Sequence, residues 1–152
     1  MELPEVIHWE HRGLRLAYRV WGAERSPTVV LLHGFLDTGA SFAPVAQELS
    51  KRWRVVVPDH RGHGHSGHVG LGGYYHFPDY MMDLDGLIRQ LGIEQVGLVG
   101  HSMGASVACY FTGAFPERVW ALGLLDGIGP PGSLLHGGAP ERVARWIEHW
   151  SQ

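Results

Sequence analysis

The sequence predicts an α/β protein in which a mostly parallel, doubly wound sheet opens with an antiparallel hairpin. Three observations carry this. Two strand-like stretches near the start flank the turn His11-Arg12-Gly13, a hairpin signal. From residue 28 onward, short apolar runs alternate with stretches of helical periodicity. That order gives parallel strands joined by right-handed crossovers, with helices on both faces of the sheet. Finally, an apolar run from Val96 to Val99 breaks into Gly100-His101-Ser102-Met103-Gly104, where a buried strand turns sharply into a helix.

Each element follows in order. Val6 to Trp9 and Leu14 to Trp21 read as the hairpin strands, and Glu24-Arg25-Ser26-Pro27 as a loop. Thr28 to Leu32 is apolar enough to be buried on both faces and ends at His33-Gly34. Ser41 to Leu49 predicts a short helix with Phe42, Val45, Ala46 and Leu49 on one face. Val55-Val56-Val57 is a further buried strand stopped by Pro58-Asp59, and a glycine- and histidine-rich loop runs from His60 to Gly73. Pro78 to Leu91 is the best amphipathic helix: Phe77, Tyr80, Met81, Leu84, Leu87, Ile88 and Leu91 share a stripe, and Gly92 ends it. The helix begun at Met103 closes at Pro116, and Val119 to Leu125 forms the last strand. Gly127 to Gly138 is rich in breakers, and Pro140 to Trp150 begins an amphipathic helix.

Composition narrows the function classes. A length of 152 residues suits one core, and 45% hydrophobic with 18% charged residues describes a soluble globular chain. A net charge of −3 offers no basic footprint for nucleic acid. The apolar runs have strand length, so no membrane span is expected. The acidic start Met1-Glu2-Leu3-Pro4-Glu5 lacks the plan of a signal peptide. The single cysteine, Cys109, sits among alanines and reads as a small buried hydrophobe, which fits a reducing, cytoplasmic setting.

The chemistry centres on Ser102. In a G-x-S-x-G turn, bulk two residues either side of the serine would clash. The strained backbone lifts the hydroxyl to the end of the sheet above a helix N-terminus, where developing negative charge meets free N–H groups. The competing reading is an ordinary strand-to-helix turn whose serine only caps. Three more motifs stand in order around it. They are His33-Gly34-Phe35 after the third strand, Asp59-His60-Arg61-Gly62-His63-Gly64-His65-Ser66 after the fourth, and Phe115-Pro116-Glu117-Arg118-Val119 before the sixth.

Together these motifs, over about residues 14 to 126, resemble the N-terminal half of an α/β-hydrolase. Gly34-Phe35-Leu36-Asp37 with Ser41-Phe42 looks most like the serine-hydrolase-like subgroup of its esterase relatives. The resemblance implies a serine hydrolase that cleaves a small-molecule ester or related acyl substrate through a Ser102 acyl-enzyme, without a cofactor. It places the oxyanion hole at the backbone N–H groups of Phe35 and Met103. It makes His33, Gly34 and His101 pocket or supporting residues, and gives Asp59 a structural role, ordering its loop through Arg61 and backbone amides. Serine at the elbow argues against the related dehalogenases and epoxide hydrolases, which carry aspartate there. Asp126, at the carboxyl end of the sixth strand, is the candidate acid that orients the base; otherwise it is a loop carboxylate.

The resemblance also defines what is not seen. No seventh or eighth strand follows Asp126, so residues 1–130 are expected to form the N-terminal part of the core and 131–152 the start of a cap. His136 and His149 lie in that last stretch and do not correspond to the family's late histidine, so the base is expected beyond residue 152. Without a neighbouring strand, the sixth would be an exposed edge through which chains self-associate.

A rival reading rests on the 11 histidines. His63-Gly64-His65-Ser66-Gly67-His68 nearly matches an H-x-H-x-D-H metal motif, and the alternative to a serine hydrolase is a non-catalytic fragment or a metal-binding module that uses His63, His65 and His68. Gly67 stands where that motif needs aspartate, so no metal is expected.

Overall fold

The computed structural model describes residues 2–127. The elements called from Gly127 to Gly138 and from Pro140 to Trp150, and the division at residues 130/131, therefore fall wholly or almost wholly outside the described residues. Six strands form one sheet: β1 (Ile7–His11), β2 (Leu14–Trp21), β3 (Thr28–Leu32), β4 (Arg54–Asp59), β5 (Val96–His101) and β6 (Val119–Leu125). Three helices accompany them: α1 (Ala43–Leu49), α2 (Phe77–Gln90) and α3 (Met103–Ala114). The spatial order is β1-β2-β4-β3-β5-β6. β1 with β2 and β2 with β4 pair antiparallel, and the remaining neighbours pair parallel. The mostly parallel, doubly wound sheet opening with a hairpin is thus the observed fold.

The winding follows from side-chain alternation along β3, which is buried throughout. Val29 and Leu31 enter one core with Phe42 and Ala46 of the α1 region, together with Val55 and Val57. Val30 and Leu32 enter the other, with Val56, Leu98, Val107, Phe111 and the α2 residues Tyr80, Leu84, Leu87 and Ile88. The period of two sends neighbouring residues to opposite faces, so a wholly apolar strand builds two cores at once.

Several boundaries differ from the sequence reading, each for a local reason. The hairpin turn is the pair Arg12-Gly13, with φ of 50° and 78°, so β1 runs on to His11. A tight 3-10 turn over Gly39–Phe42 precedes α1, and Val45 faces solvent while Ala43 is buried. Proline does not end β4: Tyr18 of β2 pairs with Pro58, and the pairing with β3 has already stopped at Val56. Cys109 is only partly buried. No described helix is long and apolar enough to cross a membrane.

Candidate active site

In this topology β3 connects to β4 on one side and β5 lies on the other. The carboxyl ends of β3 and β5 therefore flank the point where the winding reverses, the place where such sheets bind ligands. His33 to Asp37 leave β3 there, and Ser102 leaves β5 there.

Ser102 stands between β5 and α3 with φ 51° and ψ −113°, a strained conformation for a residue with a side chain. Its own N–H donates to the Leu125 carbonyl at 3.0 Å, tying the elbow to β6. The flanking glycines are dictated by contact. A Cβ on Gly100 would collide with the Gly104 carbonyl, and one on Gly104 would collide with the Leu32 carbonyl and lie 2.7 Å from that of His33. The start of α3 is thereby pressed against the end of β3. Met103, the first residue of α3, has an N–H without an intrahelical partner.

The loop after β3 lies against the serine. A Cβ on Gly34 would sit 3.0 Å from His101 Nδ1 and 3.4 Å from Ser102 Cβ, so Gly34 fills the gap between both side chains. His33 is fully buried; its Nε2 accepts the His60 N–H at 2.9 Å, leaving Nδ1–H to donate to the Gly34 carbonyl at 2.7 Å. That carbonyl and the Phe35 N–H belong to one trans peptide and point in opposite directions. Holding the carbonyl therefore aims the N–H. With both ring nitrogens engaged, and burial lowering its pKa, His33 is held neutral and has no lone pair for Ser102. The His60 ring nitrogen Nε2 in turn donates to the His33 carbonyl at 3.1 Å, and burial drives its pKa well down.

The loop after β4 explains its own motif. Asp59 is buried and accepts the N–H groups of Gly39 at 2.7 Å and His65 at 2.8 Å. Gly64, at φ 52°, packs on that carboxylate with no room for a Cβ. Ser66 Oγ donates to the Asp59 carbonyl at 2.6 Å and accepts the Ala17 N–H at 2.9 Å, stitching the loop to β2. The expected link from Asp59 to Arg61 is not what forms. Arg61 instead makes a bidentate pair with Asp83 of α2, both contacts at 2.6 Å, and reaches Asp79 at 3.2 Å. Hydrogen bonding to Asp83 raises its pKa.

The histidines of the rival motif have three different engagements. His63 lies between Leu36 and Arg61, His65 Nδ1 faces Asp59 at 3.2 Å, and His68 Nδ1 faces the Tyr75 hydroxyl at 3.2 Å. They are not brought together on a common centre, and no cluster of three metal-ligating side chains occurs among the described residues. Asp126 follows β6 with φ 49°, exposed, next to Leu125, which receives the Ser102 N–H. Gly127 then passes Ser102, its Cβ position 3.6 Å from the serine Cα.

Two supporting residues escaped the sequence reading. Asp37 accepts the Thr38 N–H at 2.7 Å and the Ser41 hydroxyl at 2.8 Å, bracing the loop after β3. Asp83 is the second, and its signal was present: it falls on the apolar stripe of α2, one residue before Leu84, where a carboxylate needs a buried partner.

The model of the alpha/beta hydrolase fold family matches residues 27–146. The chain belongs to the α/β-hydrolase family. It is 37% identical over 111 residues to the serine hydrolase-like protein of Danio rerio, covering 73% of this chain and 34% of that protein. It is 36% identical over 134 residues to the 3-hydroxybutyrate-oligomer hydrolase of Cupriavidus necator, 88% of this chain and 44% of that one. A crystal structure of a hypothetical protein from Pseudomonas aeruginosa PAO1 superposes with a TM-score of 0.83 at 36% identity, covering 95% of this chain and 50% of the other. The chain thus spans between a third and a half of the length of these three proteins.

Proposed function

We propose that the whole protein is a serine hydrolase of carboxylesterase type, and that Ser102 is its nucleophile. The observation carrying this reading is the strained elbow at φ 51°, packed against Gly34 at the reversal of the sheet. Ser102 Oγ attacks the acyl carbonyl carbon while its proton passes to a histidine base from outside residues 2–127. The oxyanion accepts the N–H groups of Met103 and Phe35, which are oriented before charge develops. Collapse breaks the ester bond, and the alcohol leaves with the base's proton. Water, deprotonated by the same base, then releases the acid and regenerates Ser102. Asp126 is assigned to orient the base, because it leaves β6 beside the residue that accepts the Ser102 N–H.

A fluorophosphonate probe on the full-length protein is the direct test: labelling should occur and vanish in Ser102→Ala. An unlabelled wild-type protein would mean a non-catalytic relative. Asp126→Asn should lower kcat by orders of magnitude if the carboxylate holds the base. Near-normal turnover would assign that role to a different carboxylate.

A further inference from the structure

We infer that His63 is a positioning residue for the loop after β3, holding it at Leu36 as His33 holds it at Gly34; this rests on the serine-hydrolase reading above. The Leu36 N–H donates to His63 Nε2 at 3.3 Å. An acceptor at Nε2 requires the proton on Nδ1, which is where the ring faces the Arg61 carbonyl at 3.0 Å. Both contacts therefore demand one neutral tautomer. The Phe35 ring also meets the His63 ring edge-on, with centroids 5.9 Å apart. Two consecutive residues of the loop are thus held by one imidazole, itself packed on the His33 ring at 5.3 Å.

The geometry matters because Leu36 lies at φ 58°, a conformation a leucine leaves unless its surroundings hold it. Gly34 is fixed through its carbonyl by His33, and Leu36 through its N–H by His63. The Phe35 N–H lies between these two points. Removing the second leaves the peptide anchored on one side only, free to swing as Leu36 relaxes. A donor displaced by a fraction of an ångström loses much of its hold on a developing oxyanion, whereas ground-state binding of an ester depends on it little.

The test uses the full-length protein. His63→Ala should lower kcat on a p-nitrophenyl ester about tenfold with KM within about twofold, a fraction of what loss of an oxyanion donor costs. His63→Gln, whose carboxamide oxygen offers an acceptor near the Nε2 position, should restore kcat to within about threefold of wild type. Nitrogen-15 NMR of the imidazole should show the Nδ1–H tautomer, and the Leu36 amide resonance should shift in His63→Ala. Wild-type kcat in His63→Ala, no rescue by glutamine, or an Nε2–H tautomer would each overturn the clamp while fluorophosphonate labelling of Ser102 stands. Absence of that labelling in wild type would instead overturn the hydrolase reading and the clamp's role with it.

Discussion

Ser66 shows how much a single small side chain can settle. Its buried hydroxyl accepts from Ala17 and donates to the Asp59 carbonyl, so it joins the second and fourth strands at the end of their pairing. Ser66→Ala should leave both backbone groups unpaired and lower stability by about 1–3 kcal/mol, read as the urea midpoint. An unchanged midpoint would mean that water replaces the hydroxyl. The buried imidazoles of His33 and His60 give a prediction with a sign. Burial lowers both pKa values below the ordinary 6.5, so in the window beneath 6.5 the unfolded chain binds more protons than the folded one. Their contribution is complete above 6.5 and is lost as pH falls toward the folded values, by up to about 1.4 kcal/mol per pH unit for each imidazole. Denaturation at about pH 7.5 and about pH 5.5 should show the acid sample to be weaker; equal midpoints would mean the rings are charged when folded. At this scale the sequence was legible where residue type is forced by contact, as at Gly100, Ser102 and Gly104. It was not legible where a histidine could equally be base, ligand or brace. The choice among those depends on which atom faces each ring nitrogen, and residues 27 apart in the chain decide it for His33 and His60.

Among the elements, α2 is attached to the site by a charge pair rather than by packing alone. Arg61 and Asp83 are both buried, and their bidentate contact holds the loop after β4 to the helix. Asp83→Ala strands a buried guanidinium, with only Asp79 left beside it, and should cost about 3–5 kcal/mol. The double variant Arg61→Met, Asp83→Leu should be considerably milder, since it leaves no uncompensated charge. If the double variant is as damaged as the single one, shape rather than charge governs this contact. The helix itself was readable because its apolar stripe recurs at helical spacing, and all seven predicted stripe residues lie in or against one core. Strand ends were less readable. Period-two alternation does not reveal that Pro58 has a partner on β2 but none is needed on β3, nor that Arg12 adopts positive φ to close the hairpin.

For the molecule as a whole, the feature that decides behaviour is β6. Trp120, Leu122 and Leu124 are 44%, 39% and 39% exposed, and Trp120 is the extra residue between the Val119–Val96 and Ala121–Gly97 pairs, where the register shifts. Trp120 lies across β5, its Cζ2 2.7 Å from the position of a Cβ on Gly97, and with Leu49, Trp53 and Leu122 it lines an open apolar groove. Among the described residues nothing pairs with the outer edge of β6, so its N–H and C=O groups face outward beside that groove. An apolar edge of seven residues without lysine or proline, and uncovered among the described residues, is the geometry that recruits another chain. The 152-residue polypeptide expressed by itself should therefore sediment as oligomers. Leu122→Lys with Leu124→Lys should shift it toward monomer, because charge on the edge strand resists strand addition. These substitutions lie beyond the two cores, so helix content by circular dichroism should stay at the wild-type level while the sedimentation coefficient falls. A wild-type polypeptide that is monomeric at every concentration reached would show that β6 is already covered. Oligomers that persist in the double variant would place the contact on a different surface.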